Sequence, residues 1–198
     1  MASRSKTPSR GMMGIGALVI FIAIIIVAAI AATVLISTGG SLQQKSLITG
    51  AQTEEGITSG IEPVNVVASD GSDHSLETFR ILVRLQAGSA GCNLNNTVVT
   101  IDTDWGSYSY VYNQTVESDV DSTSTAYYNV YYVQRGTTQM PGYLNRGDVA
   151  KFIVYVQPPI GENRFIRMKI IPRVGSYSQI EFNTPDTIVQ RSLSMWPS

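Results

Sequence analysis

The first part of the chain is an uninterrupted apolar segment that predicts one long helix. Residues 12–36 contain no charged residue and one hydroxyl side chain, Thr33. As an α-helix this segment rises about 37 Å, which is enough to cross a hydrocarbon layer of about 30 Å. The helical pattern then continues through polar residues, and Gly39 and Gly40 predict a bend because glycine weakens helices. We therefore predict an N-terminal segment over residues 12–60 that forms one long helix to about Ile57, with a dry first half and an amphipathic second half.

After Pro63 the apolar pattern changes from the helical period to the alternation of β-strands. Residues 78–87 place Phe79, Ile81 and Val83 on one face, with arginines on the other. The other predicted strands, bounded by Gly, Asn, Asp and Pro clusters, are 65–68, 97–102, 108–113, 126–134, 149–157, 163–172, 179–183 and 188–192. Short strands without helices between them imply an antiparallel sandwich. The predicted fold class is α+β, with a β-sandwich domain over residues 61–198.

Charge is segregated along the chain in a way that indicates membrane topology. All fifteen acidic residues lie at Glu54 or later, whereas three cations, Arg4, Lys6 and Arg10, lie in the first ten positions. Positive charge is retained on the cytoplasmic side of an inserted segment. Removing these three charges takes the formal net charge from −1 to −4, and an acidic body argues against a nucleic-acid partner.

Three interpretations of the apolar segment differ in what covers the helix. The apolar core of a cleaved export signal is about 7–15 residues long and ends in polar chain, but this run continues through residues 34–36 after its Ala-x-Ala pattern. A plain membrane anchor fits the composition, yet the exit at 37–44 has no aromatic or cationic anchor. The third interpretation is a lipid-soluble helix that also packs against protein, since its small residues let helices approach closely. The bulky residues expected to pack there are Ile15, Leu18, Ile20, Phe21, Ile24, Ile25, Val27, Ile30, Val34 and Leu35.

The first 60 residues closely resemble the N-terminus of archaeal flagellins (archaellins). The matching features are Arg10-Gly11, Gly14-Ile15-Gly16, the long aliphatic run, and the exit sequence at 42–45. The family is known for an immunoglobulin-like β-sandwich after its helix, which agrees with the strands predicted above.

The resemblance implies a class III signal peptide, with a type IV pilin-like helix behind it. Residues 1–11 would be cut off after Gly11 by a preflagellin peptidase, and the mature chain would begin at Met12. Two positions depart from related patterns. Ser9 stands where the family usually has a second base, and Gly16 stands where bacterial type IV pilins carry a glutamate.

The resemblance also implies a function, partners and a location. The mature chain would polymerise with itself and with sister flagellins into the archaeal flagellum (archaellum), an extracellular filament for swimming motility. Its precursor would lie in the cytoplasmic membrane and meet the assembly ATPase and membrane platform of a type IV pilus-like machinery. Two alternatives stay open: an adhesive pilus subunit, and a membrane-anchored β-sandwich binding module.

Residue types that could support catalysis are scarce. His74 is the only histidine, in a polar loop, and Cys92 is the only cysteine. The chain therefore has almost no residues from which a histidine-assisted nucleophile could be built, and no intrachain disulfide can form. We predict no enzyme activity, no cofactor and no metal. The weak metal candidates, which do not complete a calcium-binding loop, are Asp102, Asp104, Asp119 and Asp121.

Three short motifs lie in the predicted β-domain. Asn95 and Asn113 begin Asn-x-Thr sequences, so both are candidate acceptors for N-linked glycans. The tripeptide at 146–148 is one that cell-adhesion receptors read, but we predict a turn there, leading into the next strand. The tyrosines at 108–112 and 127–132 are predicted to pack within the sheet, with subunit contact as the alternative.

Overall fold

The computed structural model describes residues 10–69, 73–114 and 124–197. The chain divides into two units, Met1–Ala51 and Gln52–Ser198. The division falls inside a single long helix, Arg10–Thr58.

The predicted long helix is confirmed, with α1 comprising Arg10–Thr58. Helical structure continues through Gly39 and Gly40, and the bend proposed there stays a prediction. The helix ends where the Ser59 amide donates to the Glu55 carbonyl at 3.0 Å, just before the chain enters the first strand. The predicted helix end near Ile57 is therefore confirmed to within one residue, and the segment boundary at residue 60 lies two residues beyond α1.

The β-domain contains eleven strands within the described residues. They are β1 (Ile61–Ser69), β2 (Leu76–Leu85), β3 (Cys92–Asn93), β4 (Val98–Thr103), β5 (Gly106–Tyr112), β6 (Tyr127–Gln134), β7 (Tyr143–Leu144), β8 (Val149–Ile160), β9 (Phe165–Ile171), β10 (Ser178–Asn183) and β11 (Ser192–Trp196). The strand predicted at 188–192 was wrong. The buried Ile188 donates its amide to a Glu162 carboxylate oxygen at 2.8 Å, and the strand begins only at Ser192.

Nine of these strands form one sheet in the order β10-β9-β4-β5-β6-β8-β2-β1-β11. Its pairings are antiparallel except for β5 and β6, which run parallel over two residue pairs, Val111 with Tyr127 and Tyr112 with Tyr128. This narrow join separates one layer, β10-β9-β4-β5, from a second layer of five strands. The predicted sandwich is confirmed, with one parallel junction that alternation alone does not reveal.

The two layers share one hydrophobic core. Phe79 of β2 lies 6.5 Å from Phe182 of β10, measured between ring centroids. Tyr128 of β6 packs between Tyr112, at 5.9 Å, and Phe152, at 5.0 Å. Tyr112 and Tyr128 are buried, as predicted for sheet packing, whereas Tyr127 is 50% exposed.

Candidate functional site on the apolar helix

The bulky side chains predicted to pack between helices are all exposed in the single chain. Their exposed fractions run from 51% at Ile25 to 72% at Leu35. Within the part of the chain that the structure describes, α1 is the one helix long and apolar enough to cross a membrane. The most apolar segment of α1 has no buried residue. The helix therefore presents apolar surface in every direction.

The apolar half of α1 also leaves no polar side chain in need of a partner. Thr33, its single hydroxyl residue, donates from Oγ1 to the Ala29 carbonyl at 2.9 Å. The backbone groups of a helix interior are paired within the helix itself. Residues 13–36 can therefore be surrounded by hydrocarbon or by other apolar helices without loss of a hydrogen bond.

The glycines of α1 have no packing role inside the subunit. A Cβ added at Gly14, Gly16, Gly39 or Gly40 would meet nothing within 4 Å. Each glycine nevertheless lowers helix stability by about 1 kcal/mol relative to alanine. Close approach of a second helix is a physical use for such residues, and residues 10–69, 73–114 and 124–197 contain no second α-helix.

The predicted cleavage site lies at the start of α1. The backbone of Arg10, Gly11 and Met12 is helical, whereas Arg4 and Lys6 lie outside the described residues. Cleavage after Gly11 stays a prediction.

The first weak metal candidate, Asp102, is engaged by protein groups. Its carboxylate accepts from Ser107 Oγ at 2.5 Å and from Lys169 Nζ at 3.0 Å. The hydrogen bond from Ser107, followed by that from Lys169, holds the pKa of Asp102 below its usual range. This carboxylate therefore belongs to an ion pair across β4 and β9.

The second weak metal candidate, Asp104, does not join Asp102 in a ligand cluster. Asp104 lies 3.6 Å from the Arg164 guanidinium, and Asp119 and Asp121 lie outside the described residues. Across 10–69, 73–114 and 124–197, no three His, Cys, Asp or Glu side chains are placed to hold a metal ion.

The two glycan candidates differ in accessibility. Asn95 is exposed in a short 3₁₀ turn, Leu94–Asn96. Asn113 is half-buried, and its Nδ2 donates to Asn129 Oδ1 at 3.2 Å. The amide nitrogen that would carry a glycan is thus more accessible at Asn95.

The adhesion-like tripeptide is a structural turn, as predicted. Asp148 is 1% exposed, and its carboxylate accepts from the Gly136 amide at 2.6 Å and the Asn145 amide at 2.9 Å. A receptor could not reach this carboxylate without breaking the turn.

The residues considered for catalysis do not converge. His74 is exposed, with Nδ1 3.2 Å from a Glu162 oxygen. Cys92 is half-buried beside Thr97, and burial raises the pKa of its thiol, which disfavours the nucleophilic thiolate. The feature of the described residues that suits a function is therefore the exposed apolar surface of α1, which is suited to assembly.

Three charged residues of α1 received no role in the sequence analysis. They are Lys45, Glu54 and Glu55, and all are exposed. Their spacing along the helix was the signal that could have identified them as a set.

Comparison with known proteins agrees with this geometry. The family model for archaeal-type flagellin matches residues 11–182. Flagellin B2 of Methanocaldococcus jannaschii is 32% identical, covering 89% of this chain and 89% of the relative. Flagellin B1 of the same organism is 31% identical, covering 94% of this chain and 95% of the relative.

Solved structures show the same fold at lower identity. The archaeal flagellum of Methanospirillum hungatei strain JF1 matches with a TM-score of 0.69 and 16% identity, covering 92% of this chain and 98% of that one. The crystal structure of archaeal flagellin FlaB1 from Methanocaldococcus jannaschii matches with a TM-score of 0.62 and 21% identity, covering 69% and 96%. The apolar helix, the β-domain and the family match over most of the length lead to one conclusion: the chain belongs to the archaeal-type flagellin family.

Proposed function

We propose that this chain is the structural subunit of an archaeal flagellum and polymerises with copies of itself into the extracellular filament. The observation that carries this proposal is α1, whose apolar side chains are exposed on all sides while its one hydroxyl in residues 13–36 is already bonded. Such a helix requires lipid or protein around it.

The energy at stake is large. Fifteen large apolar side chains between residues 13 and 36 are exposed by 48% to 77%. Burying each one stabilises by about 1.5 to 3 kcal/mol, so leaving α1 in water costs on the order of tens of kcal/mol. Copies of α1 can cover one another on every side. A head-to-tail contact that repeats without closing produces a helical filament.

In the precursor, the apolar half of α1 is surrounded by lipid. Arg4, Lys6 and Arg10 hold the N-terminus on the cytoplasmic side, with the β-domain outside. Removal of residues 1–11 by a preflagellin peptidase removes these cations, so α1 can leave the bilayer without moving them through hydrocarbon. The assembly ATPase, the membrane platform and sister flagellins are the further partners that this route requires.

Shearing cells and sequencing the released fibres tests the proposal. Fibres that contain this chain beginning at Met12 are expected. Gly11→Val should leave the leader uncut and abolish fibres, with the precursor retained in the membrane. Retention of the unaltered chain in the membrane with Met1 or Ala2 intact would instead support a membrane-anchored binding module.

A deletion strain separates the two filament functions. Loss of swimming with retained surface attachment is expected for a flagellum. Loss of attachment with normal swimming would show an adhesive pilus subunit and contradict the proposal.

We also propose Asn95 as the better acceptor for an N-linked glycan, because its side chain is exposed. Mass spectrometry of peptides from sheared fibres should find modification there, and Asn95→Gln should remove it. An unmodified Asn95 beside a modified Asn113 would contradict this assignment.

A further inference from the structure

The second half of α1 carries an unusual distribution of charge. Between residues 11 and 58 the only charged residues are Lys45, Glu54 and Glu55. All three are exposed. Among the residues that the structure describes, none forms an ion pair with any of them.

The spacing of Lys45 and Glu54 prevents them from pairing within one helix. Nine residues of α-helix correspond to a rise of about 13.5 Å and a rotation of about 180°. The two side chains therefore project from opposite sides of α1 at different heights. Glu55 is rotated a further 100°, approximately, from Glu54, so it does not share this relation.

The carboxylates also lie at an unfavourable place on α1. The helix ends at Thr58, with no basic residue in its last turn. Carbonyl groups at a helix C-terminus present partial negative charge, which favours cations and disfavours Glu. A cation supplied from outside the chain beside Glu54 would offset one of these charges.

In a heterologous contact that repeats along a row of parallel helices, each copy presents one face to the copy before it and the opposite face to the copy after it. If a copy of α1 is translated sideways by the usual 8 to 10 Å, approximately, between helix axes, the facing sides are opposite sides of the same sequence. An additional axial shift of about 13.5 Å brings Lys45 of one copy level with Glu54 of its neighbour. The long side chains can then meet.

We propose that Lys45 of one copy pairs with Glu54 of the neighbouring copy and sets the axial offset between adjacent α1 helices. The pair is heterologous, since each copy offers a cation on one side and a carboxylate on the other. Such a contact repeats without closing. Apolar packing tolerates many offsets, whereas charged pairs on helix surfaces select one register. This inference rests on the filament function proposed above.

Charge reversal in the full chain, produced in its native host, tests the pairing. Lys45→Glu and Glu54→Lys each bring like charges together, and we expect each to lower the yield of sheared fibres by about tenfold or more. The double variant restores opposite charges and should recover most of the yield. Glu55→Lys is the matched control, because it makes the same charge change one residue away; its yield should remain close to that of the parent.

Processed subunit in the membrane fraction is measured in every strain, so that poor export is not read as poor assembly. Normal fibres from both single variants, or a double variant no better than the singles, would overturn the pairing while leaving the filament function intact. Absence of fibres from the unaltered chain would instead overturn the filament function. Cryo-electron microscopy of fibres gives a direct readout: Lys45 Nζ should lie within ion-pair distance of Glu54 in a neighbour, and a larger separation in every contact contradicts the proposal.

Discussion

Truncating Phe21 separates the stability of the filament from the stability of the subunit. Phe21 is 62% exposed in the single chain and lies in the unit Met1–Ala51, whereas the hydrophobic core lies between Ile61 and Met195. Phe21→Ala should therefore leave unfolding of the β-domain unchanged, and alanine is the better helix former. The whole loss is expected in assembly.

The size of that loss follows from large-to-small substitution in packed interiors. Phe→Ala costs about 3 to 5 kcal/mol at a fully buried site, and partial enclosure between helices reduces this to about 2 to 4 kcal/mol per subunit. Since about 1.4 kcal/mol corresponds to a factor of ten, the ratio of released to assembled subunits should rise by about thirty-fold to several hundred-fold.

Sheared filaments provide the assay. They are incubated at increasing guanidinium concentration and pelleted, and subunit in the supernatant is quantified, while near-ultraviolet circular dichroism follows the β-domain tyrosines. Val189→Ala is the control, because Val189 is 71% exposed but lies in the loop before β11; it should behave like the parent. Phe21→Ala filaments that release subunits at the parent concentration of guanidinium would refute the reasoning.

Two further predictions concern the β-domain, measured on the full chain in mild detergent. Tyr110→Phe should raise the free energy of unfolding by about 1 kcal/mol, because its hydroxyl is buried without a hydrogen-bond partner among the described residues. Tyr128→Phe should lower the free energy of unfolding by about 1 kcal/mol, because its hydroxyl lies 3.2 and 3.3 Å from two backbone carbonyls. Equal effects of the same sign would contradict this. The depressed pKa of Asp102 contributes stability above its unfolded value of about 3.9 and loses it as the pH falls through the lower folded value. The melting temperature should therefore decline below about pH 4, less steeply in Asp102→Asn, and an identical slope in both proteins would exclude a role for this carboxylate.

The sequence predicted those elements whose signal is local. β2 and β9 were identified because their alternating apolar residues face a core on one side only. β3 and β7 were missed because two residues are too few to show any period, and they are held by contacts such as the hydrogen bond from the Leu94 amide to the Gly142 carbonyl, 2.9 Å. The parallel join of β5 and β6 involves chain on both sides of a long connection, which no local pattern encodes.

For the candidate sites, too, features of consecutive residues could be predicted from the sequence, whereas contacts between distant residues could not. Composition alone identified α1, because a helix without a polar face can be read from consecutive residues. The partners of Asp102 were not accessible in this way, since Lys169 lies 67 residues further along the chain. Nor was the burial of Asp148, which removes the adhesion-like tripeptide from the surface.

The two units differ in what covers their apolar side chains, and this difference determines how the protein should respond to mutation. The β-domain encloses the apolar side chains of its core within the same chain, so their burial requires no neighbouring copy. Residues 13–36 of α1 enclose nothing, so their free energy is realised only when lipid or another copy covers them. Substitutions in the core should therefore shift unfolding, substitutions in residues 13–36 should shift depolymerisation, and the two effects should add in double variants because the sites belong to different units of the chain.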